Sequence, residues 1–179
     1  MRPYLWLLLS FSGFNQLLIA QVTPPLVEAQ SGQVVSVKAE LSEGIPMPDL
    51  SWAWNSSNAC FVEPRKDKFT GNHYLIKTEI PRYSTMLIRV IPEDRREELS
   101  LYAYSGGWGE LPPALPSCVS CEADFEQERP SAHGRNRPAH VREVELRAVN
   151  RPYPVTIGVV GANGRTVGAF RIEIEVIPR

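Results

Sequence analysis

The residues best equipped for chemistry lie in one stretch, SCVSCEADFEQERPSAHGRNRPAH, from Ser117 to His140. Cys118 and Cys121 are followed by His133 and His140 in the spacing C-x2-C-x11-H-x6-H. Two thiolates and two imidazoles can hold tetrahedral zinc, but both histidine intervals depart from the finger spacing, and Ser131 stands where that small domain wants an apolar residue. Haem attachment requires a histidine directly after the second cysteine, where Glu122 stands. A redox dithiol wants a helix start beside a βαβ unit, and none is legible. The plainest expectation is a structural disulfide between Cys118 and Cys121. Cys60, in NACFVEPR, is the odd cysteine, either a free thiol or an alternative partner that ties two long loops together, and spacing alone leaves the pairing open. Glu122, Asp124, Glu126 and Glu128 alternate along the same segment, so in an extended conformation their carboxylates share a side. Such a side can offer oxygens to Ca2+, although the EF-hand spacing is missing and a solvated acidic loop is the simpler reading.

The aromatic residues suggest binding instead of reaction. Trp108 sits in SGGWGE, between glycines, as an exposed anchor would, and Tyr102 and Tyr104 on the preceding segment extend it into a candidate platform for a sugar ring or a polypeptide. Trp52 and Trp54 recur at strand period and read as core. For an enzyme, no serine lies in a G-x-S-x-G elbow, and none of His73, His133 and His140 has a recognisable nucleophile or metal set beside it. The glycine cluster in VTIGVVGANGRTVG fails as a phosphate loop. Gly158 and Gly164 are one residue too far apart for it, and Arg165-Thr166 replaces Lys-Ser/Thr. Asn163-Gly164 is instead a turn pair that tolerates positive φ, and predicts a hairpin.

The elements that would position these residues are strands. QVVSVKAEL, NHYLIKTEI, STMLIRVI, LSLYAYS, VREVELRAV, VTIGVVG and FRIEIEV alternate or run apolar over strand lengths, LSWAW puts Trp52 and Trp54 on one face, and no amphipathic helix intervenes. About eight strands without helices predict an antiparallel β-sandwich. The two long irregular stretches, 55–70 and 105–138, carry most of the glycine, proline and charge, where binding residues usually sit.

PYPVTIGVVGANGRTVGAFRIEIEV resembles the closing part of bacterial pre-peptidase C-terminal domains, and the similarity extends back through GNHYLIKTEIP, STMLIRVIP and ELSLYAYSGG. The resemblance implies a jelly-roll-like β-sandwich on secreted bacterial proteins, usually without catalytic activity. Two cysteines in a lengthened segment depart from that pattern.

Composition agrees with one domain. The chain has 179 residues, 22% charged and with a formal net charge of −1, a balance that gives no electrostatic footprint for nucleic acid, which requires a basic face. MRPYLWLLLSFSGFNQLLIAQ has the cation, apolar stretch and small-residue end of a secretory signal, with cleavage expected after Ala20. No membrane span is expected after cleavage. The expected organisation is a signal over 1–20, a Pro-containing lead over 21–32 and a sandwich over 33–179. The expected role is a non-catalytic module at the cell surface that binds a polysaccharide or a protein partner. Self-assembly through strand addition by the lead, and an accessory domain of a hydrolase, are the alternatives.

Overall fold

The computed structural model of the protein describes residues 23–55, 63–115, 117–123, 125 and 140–179, with backbone alone for 54, 55, 63, 64 and 117–119. The predicted signal, Cys60, Asp124, Glu126, Glu128 and His133 lie outside the described residues, as does the side chain of Cys118.

Among the described residues nine strands form two antiparallel sheets. They are β1 (Val34–Glu40), β2 (Ile45–Pro46), β3 (Asn72–Ile80), β4 (Ser84–Pro92), β5 (Leu99–Ser105), β6 (Ser117–Glu122), β7 (Arg142–Ala148), β8 (Tyr153–Gly161) and β9 (Ala169–Pro178). One sheet has the order β1-β9-β4-β7 and the other β2-β3-β8-β5-β6. The period-two pattern of the sequence explains the first sheet directly. On β9, Phe170, Ile172, Ile174 and Val176 are buried, while Arg171, Glu173 and Glu175 lie on the opposite face, because successive side chains of a strand point to opposite faces. Met86, Ile88 and Val90 of β4 and Val144 and Leu146 of β7 join them in a core closed by Ile76, Leu101, Ile157 and Val159 of the facing sheet.

The five-stranded sheet is buried on both faces. Its outer face carries a second apolar cluster, in which Leu75, Tyr102, Tyr104 and Val160 pack beneath Leu50, Trp52, Ala53, Phe69 and Leu115. The cover is supplied by 3₁₀ turns at Ser51–Asn55 and Glu63–Phe69 and by the β5–β6 connection. LSWAW is therefore a 3₁₀ turn and not a strand. Asp49 accepts a hydrogen bond from the Ser51 amide at 2.8 Å, and Ala53 N–H closes on the Leu50 carbonyl at 3.0 Å, a local alternative to pairing that Asp offers its own backbone.

Two further expectations are corrected. Asn163 and Gly164 do form a turn with positive φ of 51° and 75°, and Arg165 N–H donates to the Ala162 carbonyl at 3.0 Å. The strands on either side, however, enter different sheets, so the turn is a crossover and not a hairpin. Residues 117–122, read from sequence as part of a loop, form β6 against β5, with a bulge that leaves Val119 without an opposite residue.

The lead is part of the fold. Lys77 N–H donates to the Pro25 carbonyl at 2.9 Å and Val27 N–H to the Lys77 carbonyl at 2.8 Å, so the chain pairs with the side of β3 that β2 leaves open beyond His73. It then crosses to the other sheet, where Gly32 N–H reaches the Val176 carbonyl at 2.8 Å. Val27 and Ala29 pack against the main core on the way. A proline-containing segment laid on an edge also protects it from unwanted pairing.

Candidate functional site

Of the three proposed binding aromatics, the fold separates Trp108 from the other two. Tyr102 and Tyr104 are fully buried, with rings 5.5 Å apart edge to face and Trp52 at 6.0 and 5.2 Å from them. They cannot meet a ligand. Sequence alternation placed them on an outward face, but the 3₁₀ cover turns that face into a second interior. Trp52 is buried there as expected.

Trp108 is 49% exposed and stands on a turn held from below. Glu110 N–H donates to the Gly107 carbonyl at 3.0 Å, and the Glu110 carboxylate accepts from Gly107 N–H at 2.6 Å. Beneath the turn lies Lys77, whose ammonium donates to the carbonyls of Gly107 at 3.3 Å, of Glu110 at 2.7 Å and of Trp108 itself. An ammonium has three protons to place, and three carbonyls receive them. Burial pulls the Lys77 pKa below the usual lysine range, opposed by the Glu110 carboxylate. Leu26, 59% exposed, is bridged to Lys77 through the backbone. Neither Lys77 nor Leu26 had a signal in the sequence, because a lysine on a strand ordinarily points to water.

The remaining candidates offer little chemistry. His73 is buried; its Nε2–H donates to the Phe69 carbonyl at 3.0 Å and its Nδ1 lies 3.1 Å from the Tyr102 hydroxyl, which donates to it. Burial lowers its pKa to about 4, opposed only in part by the Phe69 hydrogen bond, so the ring is a neutral structural group at neutral pH. Glu122 is buried at the end of β6 opposite Leu101, and its neighbours in the acidic series lie outside the described residues. Among the described residues no group of three His, Cys, Asp or Glu is arranged to hold a metal. Cys121 is half-buried beside the aromatic cluster and is disulfide-bonded.

No protein-family model and no curated protein matches the chain. Solved structures similar to it include a periplasmic lysozyme inhibitor of g-type lysozyme from Aeromonas hydrophila, 10% identical over 86% of this chain and 97% of that one, with a TM-score of 0.41. A pre-peptidase C-terminal domain of collagenase from Bacillus anthracis is among them too, at 8% identity over 86% of this chain and 93% of that one, with a TM-score of 0.38. A surface-associated copper-binding protein from Methylomicrobium album BG8 is 8% identical over 88% and 99%, with a TM-score of 0.41. The type of domain that the closing strands resemble is thus represented among these structures. No helix among the described residues is long and apolar enough to cross a membrane.

Proposed function

We propose that the protein is an exported, non-catalytic β-sandwich module that binds a surface polysaccharide or a protein partner through Trp108. The observation that carries this reading is the half-exposed indole on a turn whose carbonyls are tied to a buried lysine. A large aromatic on a pre-ordered base loses little entropy on binding and supplies the contact area of a hot spot. Leu26 extends the apolar contact on the β3 side. In this reading residues 1–20 are a cleaved signal and any Ca2+ in the 122–126 segment is structural.

A glycan array combined with a pull-down on cell-surface fractions tests it. Trp108→Ala is expected to lower retention about tenfold or more, the loss typical of a hot-spot aromatic, with an unchanged Tm. Retention unaffected by the substitution would remove Trp108 from the site.

A self-assembling subunit is the second reading, supported by the pairing of Pro25 and Val27 with β3. The same pairing made by the lead of a neighbouring copy would link chains by strand exchange. A polymer on size exclusion that falls to monomer when residues before Ser31 are deleted would establish it.

A further inference from the structure

The outer face of the four-stranded sheet carries an apolar band at one end. Val34 on β1 stands opposite Glu175, and Ile177 follows two residues along on the same face of β9. Ile177 faces Thr85 at the start of β4. Tyr83 N–H donates to the Val149 carbonyl at 3.1 Å and Arg179 N–H to the Tyr83 carbonyl at 2.8 Å, so these residues continue the ladder one step beyond Ala148, Ser84 and Pro178. Val34, Ile177, Tyr83 and Val149 are 57%, 40%, 56% and 66% exposed. They run diagonally over the four strands in sheet order, from the register of Glu175 to that of Arg179, roughly 20 Å end to end at ordinary strand spacing and rise.

Arginines rim the band. Arg82, Arg147, Arg151 and Arg179 are all exposed. Arg147 is paired with Glu145 at 2.6 Å, and the nearby Glu175 is taken by Arg89 at 2.9 Å. Among the described residues no ion pair engages Arg82, Arg151 or Arg179. Arg82 instead stacks over the Tyr83 ring, 5.8 Å from its centroid.

Tyr83 adds an independent pointer. Its φ is +55°, a left-handed conformation that glycine or asparagine adopts cheaply and a bulky residue does not. A strained, exposed tyrosine is an expensive way to make a turn, and strain of this kind gathers at ligand contacts.

The geometry points to this band as a docking surface for an acidic protein segment whose apolar side chains cover Val34, Ile177, Tyr83 and Val149 while its carboxylates pair with Arg82, Arg151 and Arg179. An apolar centre with tyrosine and an arginine rim is the composition of a protein interface. Two copies meeting band to band would oppose like charges, and a polysaccharide would find a single ring to stack on. This surface lies on the opposite sheet from Trp108 and does not depend on it.

Biolayer interferometry of the purified protein on an immobilised random glutamate–tyrosine copolymer, with polyglutamate and heparin as comparators, tests the inference. Retention on the copolymer is expected to be about tenfold tighter than on polyglutamate. Tyr83→Asn is expected to remove most of that difference while holding or raising the Tm, because asparagine suits the left-handed turn. Arg151→Glu combined with Arg179→Glu is expected to lower retention about tenfold or more. Equal retention on polyglutamate, tighter retention on heparin or no retention at all would overturn the inference. Self-association abolished by Tyr83→Asn would also overturn it, by assigning the band to a second copy.

Discussion

His73, Gly158 and Lys77 each have a role that depends on a buried neighbour. Because the His73 ring gains its proton near pH 4 in the folded chain and near 6.5 in the unfolded one, the unfolded state binds more protons between those values. The contribution is fully present above about 6.5 and is lost as the pH falls toward 4. It amounts to about 3 kcal/mol over that window. Urea unfolding at pH 7 and pH 4.5 is expected to show a smaller difference for His73→Gln than for the parent; an identical difference would mean that the ring is not the titrating group. Gly158 illustrates the cost of adding one carbon, since a Cβ there would stand 2.0 Å from the Tyr102 ring. Gly158→Ala is expected to cost roughly 1–3 kcal/mol by overpacking, read from the same urea curves. Lys77→Met would leave the Trp108 and Glu110 carbonyls without their donor and Gly107 with the Glu110 N–H alone, at about 2 kcal/mol, and amide exchange at Gly107–Glu110 is expected to accelerate. In the sequence His73 reads only as a histidine without a nucleophile or metal set, Gly158 as part of a turn cluster, and Lys77 carries no signal. The partner of Gly158, Tyr102, lies some fifty residues away in the chain, and spacing does not report such contacts.

Strands with one wet face are legible by alternation, and β3 and β8 by their apolar runs. The alternation of β1, β4, β7 and β9 is written in the sequence because it has a wet side and a dry side. β5 was found too, but its second dry side was not, since serine and tyrosine on that face look the same whether solvent or a 3₁₀ layer covers them. β6 escaped because SCVSCE has one aliphatic residue and no alternation; its pairing is set by β5. That strand also bears on the cysteines. Three residues along a strand span about 10 Å, or nearer 7 Å where a bulge absorbs one of them, at or beyond the limit for a disulfide. Cys121 packs against the cluster that holds Trp52 and Phe69, which belong to the 3₁₀ turns before and after the segment that holds Cys60. Non-reducing peptide mapping is therefore expected to join Cys121 to Cys60, the alternative partner, and a Cys118–Cys121 peptide would refute this.

For the whole molecule, the antiparallel sandwich follows from strands without helices, as the sequence indicates, but the order of strands does not. Asn163-Gly164 gives a tight turn in either topology, and whether the chain re-enters the same sheet is decided by which strand already lies beside β8. β5 and β3 occupy both its sides, so β9 has to leave for the other sheet. There it pairs with β1 over seven residue pairs and with β4 over nine, which makes the strand latest in sequence a central one. Among the described strands, a chain ending at Gly168 has no partner for β1 and leaves β4 with β7 alone. Closure of the four-stranded sheet thus requires β9, and a chain ending at Gly168 is expected to stay unfolded until that strand is supplied, which circular dichroism before and after adding a peptide of residues 169–179 would read.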